Sequence, residues 1–143
     1  MDARDEFLDW VQTRLIPAEN ALHGGDAAPR LAIWTTHDPV SVLGAWRNAN
    51  GVEEVQRLFA DLAVDFSDFR SYDLELLAFD VVGDAAWTAA LEHTQTSVRG
   101  EARTYTLRAT QVYRREEGEW KVCHRHGDTV VSDAREGQTW PPR

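Results

Sequence analysis

The spacing of apolar residues changes once along this chain, near Phe69, and that change restricts it to an α+β architecture. Before that point Phe7, Val11, Leu15, Ala18 and Leu22 recur at helical spacing, which predicts an amphipathic helix from Asp5 to His23. Pro17 interrupts it and predicts a kink or a second helical piece starting there. Gly24 and Gly25 end the element, and Asp26 is placed to cap a short helix from Ala27 to Trp34. A third helix follows Asn50, with Glu53 three residues on and an apolar stripe of Val52, Val55, Phe59, Leu62 and Phe66. The segment "HDPVSVLGAW" between the second and third helices reads as a short strand or hairpin.

After Phe69 the period is two. "DLELLAFDVV", "AAWTAALEHTQTSV", "ARTYTLRATQVYRR" and "EWKVCHRHGDTVV" are strand-like runs, separated by "GD", "RG" and "EEGE" links short enough for antiparallel hairpins. Helices followed by a meander of strands predict helices packed on one face of a curved antiparallel sheet, in a single domain spanning 1–143.

Charge narrows the partners. A net charge of −9 argues against nucleic acid, which requires clustered Lys and Arg, and against adhesion to an anionic membrane. The longest apolar runs fall short of the roughly 18 residues of a membrane span. Cys123 is the single cysteine, and "MDARDEFLDW" is not a signal peptide, so the cytoplasm is the expected compartment. Six tryptophans exceed what one small core needs and suggest a cavity or interface.

Alternation assigns faces. Tyr105, Leu107, Ala109, Gln111 and Tyr113 form the more apolar set of their strand and are expected to face the helices. A two-residue turn at Glu117-Gly118 pairs Gln111 with His124 and Ala109 with His126, bringing Trp120, Val122, His124 and His126 to the same face. A bulge in that hairpin reverses the assignment, since a slip of one residue moves every side chain to the other face. In the preceding strand the matching face is expected to be Trp87, Ala89, Leu91 and His93. Histidines and a glutamine would then converge among aromatic rings, as in a small-molecule pocket.

The pattern "VVGDAAW…VRGEARTYTLRATQVYRREEGEWKVCHRHGD" resembles the nuclear transport factor 2-like superfamily, in particular its SnoaL-like branch, and the association domain of calcium/calmodulin-dependent protein kinase II. Arg108-x-Thr110, the "EGEW" turn and His124-x-His126 carry the resemblance, and "THDPVSVLGAW" and "NGVEEVQRLF" extend it over nearly the whole chain. It implies a cone: three helices over a strongly bent antiparallel sheet enclosing a cavity, with pairing of two copies through the outer sheet face. Superfamily members include ketosteroid isomerases, polyketide cyclases and dehydratases, and also domains that bind without catalysing. The isomerase base position aligns with Val42 or Leu43 here, and the kinase-domain cavity positions with Val55, Leu91, Gln111 and Gly127, so neither site carries over.

Three roles suit His124 and His126: neutral cavity histidines, general bases oriented by Gln111, or metal ligands together with His93. The resemblance implies no metal and no cofactor. Asp128 could hold an imidazole tautomer or remain solvated, Asp38 reads as a turn former, and Trp34, Trp46 and Trp87 could stack on a planar ligand. Arg108, Thr110 and Cys123 fall on the opposite face. The expected protein is a homodimer binding a small, largely apolar, polycyclic or polyketide-like molecule. His124 or His126 would move a proton and Gln111 or Tyr113 would position the substrate. The alternative is a non-catalytic ligand-binding or assembly module.

Overall fold

The computed structural model describes residues Met1–Val130; the C-terminal "GQTWPPR" lies outside them, as does the end of the expected 1–143 domain. The predicted first helix is continuous but not uniform. Helix α1 (Ala3–Trp10) passes through a π turn, Val11–Leu15, into α2 (Ile16–His23). Pro17 lacks the N–H that Thr13's carbonyl would otherwise receive, and the turn widens so that Ile16 N–H reaches the Val11 carbonyl instead. The proline therefore yields a bulge rather than a break. Ala18, Glu19, Leu22 and His23 are all buried, so two polar side chains share the inward stripe of α2.

Helix α3 (Ala28–Ile33) starts where Asp26 Oδ1 accepts from Ala28 N–H at 3.0 Å. Strands β1 (Ser41–Leu43) and β2 (Asn48–Asn50) form the expected hairpin. Its turn needs Gly44, because a Cβ there would collide with the Arg47 carbonyl. Helix α4 (Val52–Asp65) follows without the anticipated capping box. Asp38, expected only to form a turn, accepts from Val52 N–H at 3.1 Å and caps the helix from fourteen residues upstream.

Four long strands complete the fold: β3 (Phe66–Val82), β4 (Ala85–Val98), β5 (Glu101–Glu116) and β6 (Glu119–Thr129). The sheet order is β2-β1-β6-β5-β4-β3, antiparallel except where β1 runs parallel to β6. The four helical segments pack on the inner face of this curved sheet, as expected for an α+β cone. Phe7, Val11, Ile33, Phe59, Tyr113, Trp120 and Val122 form the core at one end, with Phe7 edge-on to both Tyr113 and Trp120. The other end encloses a cavity.

Two face assignments are corrected. Between β5 and β6 the register slips by one residue: Tyr113 opposes Val122 and Val112 opposes His124, leaving Cys123 as the extra residue of a bulge. Beyond it the faces exchange, so His124, His126 and Asp128 point outward and Arg125 and Gly127 inward. In β4, Trp87 opposes Val112 and Leu91 opposes Arg108 on the outer face, while Ala86, Thr88, Ala90, Glu92, Thr94 and Thr96 are buried. Alternation misled there because the inner face of β4 is the more polar one.

Candidate functional site

The cavity has a volume of about 190 Å³ and lies between α2, α3, α4 and the inner face of the sheet. Its floor is a buried polar network. Arg125 reaches across β5 to Glu92, with Nη1 donating to Oε2 at 2.9 Å and Nη2 to Oε1 at 2.5 Å. Arg125 Nη1 also donates to Gln111 Oε1, and Tyr72 donates its hydroxyl to Glu92 Oε2 at 3.0 Å. Gln111 Nε2 passes the chain to the Tyr113 hydroxyl at 2.7 Å, which meets Thr88 Oγ1. Burial alone would push the Glu92 carboxyl up, but the Arg125 guanidinium, Arg30 and the Tyr72 hydroxyl together outweigh this and hold it below its ordinary value. Burial opposes the charge on Arg125 too, and Glu92 holds it above its usual range.

A second buried pair stands on the helical side. Arg30 Nη2 donates to both oxygens of Glu19 at 2.5 Å, and the guanidinium lies over the Phe59 ring. Its Nε is buried without a partner, as is the Tyr105 hydroxyl. One helical turn after Glu19, His23 packs against Phe66 and Tyr72. Its Nδ1 lies 2.6 Å from the Glu19 carbonyl oxygen, a pure acceptor, so Nδ1 carries the hydrogen and Nε2 the lone pair. Burial lowers the His23 pKa, against the smaller upward pull of Glu19, so the ring is neutral.

The mouth is built from two turns and α4. Arg47 pairs with Asp61 at 2.9 Å, both exposed, and Arg99 with the half-buried Asp65 at 3.4 Å. Trp46, 58% exposed, stands at the entrance with its ring edge-on to Tyr105. Each of the four arginines lining the cavity thus faces one carboxylate.

Of the residues selected from sequence, Trp46 lines the cavity and Gln111 braces its floor. Tyr113 faces inward but is sealed in the core, where it supports Gln111. Trp34 is buried edge-on against Phe59 and does not border the cavity. The rest stand on the outer sheet face. There His124 Nδ1 meets Ser41 Oγ at 2.8 Å, His93 bridges Thr106 and Glu75, and Asp128 is held by both Nε and Nη2 of Arg108. Arg108 keeps the Asp128 carboxyl below its ordinary value. No group of three or more metal-binding side chains occurs among the described residues, so His93, His124 and His126 do not converge.

Sequence reasoning missed Glu19, His23, Arg30, Glu92, Tyr105 and Arg125. One signal was available for the first two: a Glu and a His four residues apart, flanking apolar positions of an otherwise amphipathic helix.

A helix-covered, bent antiparallel sheet closed around a polar-floored cavity defines the class of nuclear transport factor 2-like cone proteins. Residues 18–132 match the model of the SnoaL-like domain, and the chain belongs to that family. Comparison with curated proteins finds no match. Solved structures share the fold. A provisionally named dehydratase of the nuclear transport factor 2-like family from Streptomyces avermitilis is 22% identical, with 91% of this chain and 100% of that one covered and a TM-score of 0.73. A nuclear transport factor 2-like superfamily protein from Salmonella enterica serovar Typhimurium is 16% identical over 94% and 96% of the two chains, with a TM-score of 0.71. A ketosteroid isomerase-like protein from Erwinia carotovora atroseptica is 16% identical over 88% and 98%, with a TM-score of 0.69.

Proposed function

We propose that this protein binds a small molecule in the cone cavity and moves a proton on it without a cofactor, in an isomerisation, cyclisation or dehydration. The observation that carries the reading is His23: neutral, its Nδ1–H fixed on the Glu19 carbonyl, its Nε2 without a partner among the described residues. An imidazole held in one tautomer with the other nitrogen free is poised to accept a proton and return it. The names of two fold relatives, a provisional dehydratase and a ketosteroid isomerase-like protein, support the same class of chemistry.

The cavity also bears on size. About 190 Å³ is below the roughly 300–1,000 Å³ of sites for drug-sized ligands, which favours a single-ring molecule over a polycyclic one. Trp46 would cover that ring and Gln111 would keep the floor rigid. The outer sheet face, with its exposed Trp87, Val112 and Leu43, supports pairing with a second copy.

Substrate turnover by single-histidine variants tests the proposal. His23→Gln should lower turnover by about 10²–10⁴-fold, the usual contribution of a positioned acid or base, while His124→Ala and His126→Ala leave it within a factor of a few. Equal losses in all three variants would sink the assignment. Ligand binding without turnover in the unmodified protein would leave a binding module of the same fold. No described helix is long and apolar enough to cross a membrane.

A further inference from the structure

Apart from the His23 Nε2 lone pair, the hydrogen-bonding groups left open around the cavity are donors. Both oxygens of Glu19 are taken by Arg30 Nη2, and those of Glu92 by Arg125 and Tyr72. Arg30 Nε and the Tyr105 hydroxyl are buried without a partner among the described residues. A buried donor without an acceptor is destabilising, so the occupant this floor accommodates best brings acceptor oxygens. A carboxylate brings two in the planar geometry that a guanidinium matches.

Charge adds a condition. The arginines lining the cavity are each neutralised by a carboxylate, so an anion entering alone would be buried without a counter-charge. The groups that face His23 are Glu19 on its own helix, Arg30 on α3, Tyr72 on β3, Glu92 on β4, Tyr105 on β5 and Arg125 on β6; Asp61 and Asp65 of α4 stand at the mouth. The carboxylates among them are committed to arginines, and the tyrosines are proton donors. His23 Nε2 is the remaining basic atom.

We propose that the cavity takes a small aromatic carboxylic acid, bound as its anion on Arg30, and that His23 accepts one proton as the anion enters. The proposal rests on the pocket reading above. One carboxylate and one solvent proton enter together. Nδ1–H stays on the Glu19 carbonyl, the new Nε2–H donates to a carboxylate oxygen, and the other oxygen accepts from Arg30. The ring lies among Phe59, Phe66 and Trp46.

Calorimetric titration of the protein with benzoate, at pH 7.5 in phosphate and in Tris, tests this. The two apparent enthalpies should differ by the amount that corresponds to uptake of nearly one proton per bound benzoate. His23→Gln should bind roughly tenfold to a hundredfold more weakly and take up none, the range for one lost charge-assisted hydrogen bond. Benzoate binding with no proton uptake would overturn the coupling. Binding of the neutral ketone acetophenone but not benzoate would overturn the anion while leaving the pocket reading intact. If neither binds a protein shown to be folded by its thermal transition, both readings fail.

Discussion

Arg125 and Glu92 meet fork to fork across β5, each side chain less than a tenth exposed, and this pair ties the third strand of the sheet to the fifth beneath the cavity. Two ions removed from water lose their hydration, and only their mutual geometry and further hydrogen bonds compensate. Gln111 and Tyr72 supply those hydrogen bonds. The arrangement is therefore sensitive to loss of one partner and much less so to loss of both.

Glu92→Gln and Arg125→Met should each lower unfolding free energy by about 3–5 kcal/mol, the range for stranding one buried charge. The double variant should recover a large part of that. Urea denaturation of the four proteins measures it, and additive losses would show that the two residues act independently.

Two windows of pH should weaken the fold, in the same direction. His23 has a depressed pKa when folded, so the unfolded chain binds the extra proton first. Its contribution is complete above the unfolded value of 6.5 and lost as pH falls through the folded value. Glu92 is depressed too, so its contribution is complete above its unfolded value of 4.5 and lost as pH falls further, through its own folded value. Unfolding free energy measured from pH 8 to pH 3 should decline in both windows. His124, lowered by its own partial burial, adds a smaller share to the upper window. His23→Gln should therefore flatten the upper decline and leave the lower one, and an unchanged upper window in that variant would contradict the assignment.

The architecture was legible because it rests on periodicity, and both periods are written plainly in residues such as Phe7, Val11 and Leu15, then Tyr105, Leu107 and Ala109. The site was not, for two physical reasons. The first is the bulge at Cys123, which exchanges the faces of β6 so that the residue between the two histidines, Arg125, enters the cavity in their place. No residue there announces a bulge. The second is that a cavity with a polar floor inverts the rule that the apolar set points inward. In β4 the buried set is Thr88, Glu92, Thr94 and Thr96, and the apolar set of Trp87 and Leu91 faces out. Asp38 was misread for a different reason: it caps a helix that starts fourteen residues later, a distance at which local turn chemistry says nothing.

Gly127 is small because Arg125 folds back over it. A Cβ at 127 would lie 3.2 Å from Arg125 Nη2, a nitrogen that Glu92 pins in place. Gly127→Ala should cost about 1–3 kcal/mol, as crowding in a packed interior does. Introducing the same change into the Glu92→Gln, Arg125→Met background should cost much less, since the crowded group is gone. Equal costs in both backgrounds, measured by urea denaturation, would place the effect in the backbone instead.

The outer face offers the last test. Trp87 and Val112 stand opposite each other in register at its centre, 41% and 36% exposed, with Ala89 and Thr110 one step along the same face and Leu91 a further step on. An isologous pair needs a self-complementary patch contributing about 800 Å² per copy, and this is a broad sheet surface with an apolar centre. Its rim is polar, with Arg108 and Asp128 already satisfied by each other and His93 by Glu75. Sedimentation equilibrium should therefore show a dimer, and Trp87→Glu, which places a like charge from each copy in a desolvated centre, should shift it to monomer. The monomer should keep its thermal transition and the Arg125–Glu92 floor, because Trp87 touches neither. A wild-type monomer at micromolar concentration would overturn the pairing, and a Trp87→Glu dimer would move the interface off this face.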